Sequence, residues 1–297
     1  MPTVSVIVPN YNHAPYLKQR IESILNQSFQ DFELILLDDC STDNSREVMD
    51  SYRSHPKVSH VVYNSQNSGS AFHQWKKGME LAQGEWVWIA ESDDWAEPEF
   101  LARMMESTRG IPDCSLVTCL SRIVDVNGQL IWMPTKVGET TAYSGEAFIR
   151  QRLSTGNGID NVSSCLIHRQ SFHPEQSYLY DHMRLCGDWM FYVLLAEQGS
   201  VVAVQEPLNH FRQHSTNTTM KGEHQGLTFL EGADVLERLI YLHGLRRFGR
   251  AWGRLWAKYE RRFDFTHEVN NAIRHRYRRH PSVRLWHNIY RIRLWLK

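Results

Sequence analysis

Three acidic positions stand directly beside apolar runs, where carboxylates can do chemistry. Asp38-Asp39 follow Glu33-Leu34-Ile35-Leu36-Leu37, Glu91-Ser92-Asp93-Asp94 follow Trp86-Val87-Trp88-Ile89, and Asp188 comes after Cys186-Gly187 at the start of an apolar segment. Carboxylates gathered at strand ends have two physical uses. They hold a hard divalent cation that bridges phosphate oxygens, or one of them takes a proton as a general base. The plain alternative for any single Asp is a helix cap or a solvated turn, and Asp43 fits that alternative best. Three such positions together favour chemistry. Other catalytic signatures are missing from the sequence. Its 15 histidines fall in no HExxH spacing, no G-x-S-x-G occurs, and Gly156 and Gly158 lack the lysine of a phosphate-binding loop.

The elements that must position these acids are legible from periodicity. Val4 to Pro9, Glu33 to Leu37, Val58 to Tyr63 and Trp86 to Ile89 read as short buried strands. Between them, a helix opened by Pro15 carries Leu17, Ile21, Ile24 and Leu25 on one face, and helices are expected over Ser45 to Arg53 and Ser70 to Ala82. Strands alternating with helices imply a mainly parallel sheet covered on both faces, whose ligands sit beyond the carboxyl ends of the strands. After Cys114 the texture changes. Strands are expected at Ser115 to Cys119, Arg122 to Val126, Gln129 to Met133, Val162 to Ile167 and Val201 to Val204, with Asn127-Gly128 as a hairpin turn. Helices are expected over Ser144 to Leu153 and Asp188 to Glu197. From about Leu227 the chain reads as helical, broken near Gly244-Leu245 and Pro281.

Composition narrows the classes further. The 297 residues are 42% hydrophobic and 22% charged, which excludes collagen-like, low-complexity and wholly disordered chains. No apolar run approaches the roughly 18–20 residues of a membrane span, and the opening Met1-Pro2-Thr3 does not resemble a secretory signal, so the expected address is the cytoplasm. Five scattered cysteines form no CxxC pair and fit reduced thiols. The zero net charge hides an asymmetry. From Arg246 to Lys297 there are 15 Lys/Arg against three acids, while the preceding 245 residues hold 18 bases and 30 acids. Trp252, Trp256, Tyr259, Trp286, Tyr290 and Trp295 interleave with those arginines. Two readings stay open: a helical region lying on an anionic membrane, or helices that bury the aromatics and leave arginines in water. No nucleic-acid recognition motif accompanies the charge.

Val4-Ser5-Val6-Ile7-Val8-Pro9-Asn10-Tyr11-Asn12, Leu37-Asp38-Asp39-Cys40-Ser41-Thr42-Asp43 and Ala90-Glu91-Ser92-Asp93-Asp94, in this order and spacing, resemble the family 2 glycosyltransferases. The resemblance runs from about Pro2 to Phe211 and is densest up to Leu101. It implies an α/β chain with the GT-A nucleotide-sugar-binding fold, a Rossmann-like, mainly parallel sheet with helices on both faces, followed by a C-terminal helical extension. It implies a catalytic domain over 1–220, with a nucleotide-binding half of about 1–110 and an acceptor half of about 111–220, and a basic, aromatic-rich helical region over 221–297.

The same resemblance assigns roles residue by residue. Pro9 and Tyr11 match positions that flank the nucleotide base, Asp39 the acid that hydrogen-bonds it, and Asn67 and Gly69 a loop near the nucleotide. Asp93 and Asp94 match the metal-binding end of the acidic motif, Asp93 also lying against the donor, with Mg²⁺ or Mn²⁺ as cofactor. Asp188, in Gly187-Asp188-Trp189, matches the general base, and His214 a late histidine that reaches back to the metal or diphosphate. Two departures stand out: Glu91 replaces the usual Asp, and Trp75-Lys76 replace an Arg-Asn pair, leaving Lys76 or Lys77 to supply positive charge. The implied activity is inverting, metal-dependent transfer from a nucleotide-sugar, UDP favoured, to a glycan or lipid-linked glycan of bacterial cell-surface polysaccharide or lipopolysaccharide. The implied place is the cytoplasm, with peripheral contact at an anionic inner membrane and no nucleic acid as partner. The rival readings are a catalytically silent carbohydrate- or nucleotide-binding module of this fold, and a nucleotidyltransferase. Against the latter, Pro9-Asn10-Tyr11-Asn12-His13 has nothing of the Gly-rich, Arg- and Lys-bearing loop that such enzymes place after the first strand.

Overall fold

β1 (Val4–Asn10) and β2 (Phe32–Asp38) are buried along their whole length, which is why they read as unbroken apolar runs. In the computed structural model, which describes residues 1–135, 138–214, 222–243 and 248–295, they pair in parallel with each other. β3 (Val58–Tyr63) adds in parallel to β2, and β4 (Trp86–Ile89) to β1. The sheet then turns mixed. Its order is β3-β2-β1-β4-β9-β6-β10-β5, with β9 (Cys165–His168) antiparallel to both β4 and β6 (Cys114–Val124). β10 (Ser200–Arg212) runs parallel to β6 and antiparallel to the two-residue β5 (Trp95–Ala96) and to β8 (Thr141–Tyr143). β7 (Leu130–Trp132) returns antiparallel along β6 after a turn in which Gly128 takes φ 82°.

The helices between the parallel strands fall where the periodicity places them. α1 (Ala14–Leu25) has proline in its first turn and buries Leu17, Ile21 and Ile24. α2 (Ser45–Tyr52) follows a loop in which Asp43 accepts from the N–H groups of Ser45 and Ala14. α3 (Ala71–Leu81) is capped by Ser70, whose hydroxyl accepts from the Phe72 N–H. α4 (Phe100–Ser107) leads into β6. Two strands are longer than their apolar runs. The expected pair 115–119 and 122–126 is one strand, β6, because Ser121 and Arg122 stay in register with β10. β10 continues eight residues beyond the first apolar four, with register shifts around Pro207 that let a proline sit in the ladder. Expected helix 144–153 is a short α5 (Gly145–Phe148) continued as a π-helical turn to Leu153. The expected strand 162–167 begins as a 3₁₀ turn.

Two compact units can be distinguished. The first comprises Met1–Gly145, Ile159–Asp181 and Leu194–His214 and holds the sheet. The second comprises Glu146–Gly158, His182–Val193 and Ser215–Lys297. α6 (Gly187–Ala196) begins in the second. The described helices after it are α7 (Leu227–Leu230), α8 (Gly232–His243), α9 (Phe248–Phe263), α10 (His267–Arg276) and α11 (Pro281–Trp295). The break expected at Pro281 is where α11 starts, whereas the one expected near Gly244-Leu245 lies outside the described residues.

Within this second unit Trp252, Trp256 and Tyr277 are buried, and Trp256 stacks on His287 at 3.7 Å. α9 and α11 touch backbone to backbone. A Cβ on Gly253 would lie 2.5 Å from the His287 nitrogen, and one on Gly249 2.5 Å from Ser282 Oγ, so glycine is needed at both. Among the described residues, no helix is long and apolar enough to cross a membrane.

Candidate active site

The parallel register brings the three strand ends together. Asn10 lies opposite Asp38, Ile7 opposite Ile89, and the Ala90 N–H donates to the Ile7 carbonyl at 2.8 Å. The loops are stitched by side chains. Asn10 Nδ2 donates to Asp38 Oδ1, Asn12 Oδ1 accepts from the Thr42 N–H, and Asp38 is claimed by Arg46 at 2.8 Å. Asp38 is therefore structural.

At the end of β4, Asp93 and His214 meet, with His214 Nε2 2.8 Å from Asp93 Oδ2. His13 lies on the other side, its Nδ1 4.0 Å from Asp93 Oδ1, and stacks on the His214 ring at 5.9 Å. Burial pushes the Asp93 carboxyl up, but the His214 bond and the two imidazole charges outweigh it and hold the group below the usual carboxylate range. Asp94 turns the other way. Its Oδ1 accepts from the Arg212 N–H at 2.9 Å and its Oδ2 from Asn161. Burial, with the Asp93 charge next, raises its pKa. Of the three metal candidates, then, Asp93 and His214 are brought together, and Asp94 is spent on holding β10. Among the described residues no three His, Cys, Asp or Glu side chains converge as a metal cage. The Asp93 carboxylate fits a hard ion of the Mg²⁺ or Mn²⁺ type, which is ordinarily completed by phosphate oxygens and water, and the His214 imidazole beside it is a donor that Mn²⁺ accepts more readily than Mg²⁺.

The two departures from the family pattern touch each other. Trp75 Nε1 donates to Glu91 Oε1 at 2.8 Å. Beneath them Arg20, fully buried, donates through Nε to the Glu91 carbonyl at 2.9 Å and lies 5.0 Å from the Trp88 ring centroid. Burial, and then the Asp93 charge, raises the Glu91 carboxyl to about 8, against the pull of Trp75. Burial likewise lowers Arg20 to about 10, although Asp94, Asp93 and Glu91 all oppose it. Lys77 donates to Asn64 at 2.6 Å.

Asp39 is more committed than the sequence suggests. Its Oδ1 accepts from Asn64, the Ser68 N–H and Gln74, its Oδ2 from the Ser68 hydroxyl, and its carbonyl from Asn67. Asn67 in turn accepts from the Gly69 N–H, and Gly69 takes φ 77°, a left-handed conformation that suits glycine. Asn67 and Gly69 thus shape the loop that closes over Asp39. Pro9 is buried within β1, whereas Tyr11, just past it, is 47% exposed.

Asp188 occupies the first turn of α6, where its Oδ1 accepts from the Trp189 N–H at 2.7 Å and its Oδ2 from Asn157 at 2.8 Å. It lies inside the helix, so the reading of it as an N-cap residue does not describe its geometry. Burial pushes its carboxyl up to about 6, and those two donors pull it back toward ionisation. Trp86, Trp88 and Trp189 are buried and offer no open ring to a sugar. Trp189 stacks on Trp252 and donates to the Leu153 carbonyl. Trp95 is half-buried against His210.

Sequence reasoning missed Arg212, Arg20 and Asn161. Arg212 donates to the carbonyls of Asp93, Asp125 and Val126 and to Gln19, and lies over the Tyr16 and Trp95 rings. Its one signal was its place two residues before His214. Arg20 carried another: a charge on the apolar face of α1, one position from Ile21.

A family model described as glycosyl transferase family 2 matches residues 5–175, more than half of the chain. A putative teichuronic acid biosynthesis glycosyltransferase, TuaG, of Bacillus subtilis (strain 168) is 40% identical over 105 residues. That stretch is 35% of this chain and 41% of the relative, so the match spans less than half of the relative's own length. Among solved structures, residues 1–349 of S. aureus TarS in complex with UDP-GlcNAc superpose with TM-score 0.65 at 17% identity, over 97% of this chain and 89% of that one. The mannosyltransferase PcManGT from Pyrobaculum calidifontis, in complex with GDP-Man and Mn²⁺, gives TM-score 0.54 at 19% identity, over 81% and 64%. At such identities the two likenesses speak for the fold, which is the nucleotide-sugar-binding one expected. With the family model spanning β1 to beyond the acidic motif, and the acids grouped at the strand ends that it covers, the chain belongs to glycosyl transferase family 2.

Proposed function

We propose that the chain is an inverting, metal-dependent glycosyltransferase that takes a sugar from a nucleotide donor, UDP-linked by preference, to a glycan or lipid-linked glycan. The observation that carries this reading is the Asp93–His214 pair at the carboxyl ends of parallel strands. Asp93 and His214 would hold Mg²⁺ or Mn²⁺ together with the donor diphosphate, and Asp94 reaches that ion only by exchanging its bond to Asn161. When bound, such a cation would offset charge that develops on the leaving diphosphate. Tyr11 offers an exposed ring to the base, with Pro9 behind it. Asp39 takes the base N–H by giving up one of its loop bonds, and the loop of Asn67 and Gly69 borders the nucleotide. Asp188 accepts the proton of the attacking acceptor hydroxyl, and a single displacement at the anomeric carbon inverts it.

The UDP-GlcNAc in the TarS complex supports a UDP-sugar donor, and the Mn²⁺ in the PcManGT complex supports the metal. The name of the Bacillus relative, a putative teichuronic acid biosynthesis glycosyltransferase, supports an acceptor in a bacterial cell-surface polysaccharide. Peripheral contact of the basic C-terminal helices with anionic lipid belongs to the same reading, as does the division into a catalytic domain over 1–220 and a basic region over 221–297. The test is nucleotide release from a panel of UDP-sugars with and without Mn²⁺. Metal-dependent UDP release that rises with added glycan supports transfer. Nucleotide binding without turnover on any donor would make the chain a silent binding module.

A further inference from the structure

α11 is locked on one side and bare on the other. Its inner face is held against α9 by Val283 and by His287, whose Nε2 lies 2.8 Å from Glu260 Oε2. On the outer face Leu285 is 59% exposed, Ile292 60% and Trp295 84%. At 100° per residue, Leu285, Ile292 and Trp295 fall within a sector of about 80°, with Arg284 and Arg291 along one edge. A helix facing only water would carry polar side chains there.

The charge around this stripe has one sign. α9 and α11 together hold eight Lys/Arg and a single acid, Glu260, which His287 claims. Several of these bases are oriented rather than dispersed: Arg250 lies over Trp286, and Arg254 and Arg293 lie over Tyr290. Beside the stripe, between α9 and α11, is a cavity of about 400 Å³ lined by Ala257, Glu260, Arg261, Arg291, Leu294 and Trp295. Arg261 is steadied at its edge by donating to the Leu294 carbonyl at 2.7 Å.

We propose that the outward face of α11 and the adjoining cavity form a docking surface for an anionic lipid bilayer. Leu285, Ile292 and Trp295 enter the boundary between headgroups and acyl chains, while Arg261 and Arg291 take a lipid phosphate in the cavity. An apolar stripe edged by arginines and ending in tryptophan is what an interfacial helix presents to lipid. A protein partner would need acids to meet the same arginines, whereas an anionic bilayer supplies them over the whole patch. The inference rests on the membrane clause of the proposed function and narrows it to one face.

The experiment uses the full chain and vesicles of phosphatidylcholine alone or mixed with phosphatidylglycerol. The chain is expected to float with the mixed vesicles, less so at high salt, and not with the neutral ones. Leu285→Glu with Ile292→Glu is expected to weaken binding by about tenfold or more. Arg261→Gln with Arg291→Gln is expected to weaken it and to reduce its salt dependence. Brominated lipid should quench the wild-type fluorescence more than that of Trp295→Phe. Circular dichroism and UDP binding, both expected unchanged, show that the variants fold. Flotation of every variant like the wild type would overturn this face while leaving membrane contact standing. No flotation at all, or equal flotation on neutral vesicles, would overturn both, with transfer to a soluble acceptor still to be read separately. A dimer that Leu285→Glu with Ile292→Glu converts to monomer would give the face to a second copy and overturn the proposal.

Discussion

Asp188 and Asp93 are both half-buried carboxylates, yet their surroundings drive them apart. Asp188 is held by the neutral donors Trp189 N–H and Asn157, and burial outweighs them and lifts it to about 6, close to where a general base works best. Two imidazoles face Asp93 and keep it ionised, as a cation ligand must be. If Asp188 is the base, the transfer rate should fall as pH drops through about 6, because the protonated carboxyl cannot accept. Asp188→Asn should lower transfer by about 10²–10⁴-fold at unchanged donor binding. A loss of donor binding in that variant would point to another role. His214→Ala and Asp93→Asn should each weaken Mn²⁺-dependent UDP binding, read by calorimetry. Because Asp94 is turned to Asn161 and Arg212, Asp94→Asn should cost more in melting temperature than in metal affinity.

β10 is the element that assembles the acidic end of the sheet. Its far end carries Arg212, whose side chain gathers carbonyls from the acidic motif and from the β6–β7 turn. Its backbone N–H meanwhile fixes Asp94. His214 follows two residues later, so the Asp93–His214 contact depends on where β10 stops. Arg212→Ala should leave those carbonyls unpaired in the interior, at a cost of about 2–4 kcal/mol in a urea titration. Arg212→Lys keeps the charge but loses the planar fork. It should therefore recover only part of the stability, and UDP binding should stay weakened. Full recovery by lysine would mean that charge alone matters at this position.

Over the whole molecule, the carboxyls with shifted pKa set how stability varies with pH. Glu91, Asp94, Asp160 and Asp188 are all raised, so the folded chain binds more protons than the unfolded one above about pH 4. Their contribution is present in full below their unfolded values and is lost as pH rises, for Glu91 through about 8. Asp93, Asp43 and Glu260 are lowered and act in the opposite direction, losing their contribution as pH falls. The unfolding midpoint should therefore peak in mildly acidic solution and decline toward alkaline pH. Glu91→Gln retains an acceptor for Trp75 and should flatten the alkaline decline. An unchanged decline would place its origin elsewhere.

The first four strands, the helices between them, the acidic strand ends and the break at Pro281 are legible in the amino-acid sequence alone. These are local matters: two-sided burial writes a strand as one apolar run, and proline and helix periodicity act within a few residues. That β6 is one strand, and that β10 is thirteen residues long and continues through Pro207, was set by the fold, because their polar residues are tolerated through partners far along the chain. The fold also decided which acids are available for chemistry. Asp39 and Asp94 look as exposed in the sequence as Asp93, yet Ser68, Gln74, Asn161 and Arg212 fill their lone pairs. The meeting of Asp93 with His214, and of Trp75 with Glu91, was likewise beyond the sequence. Spacing along a chain fixes which side chains share an element, but a hydrogen bond between elements depends on register and on where each strand ends.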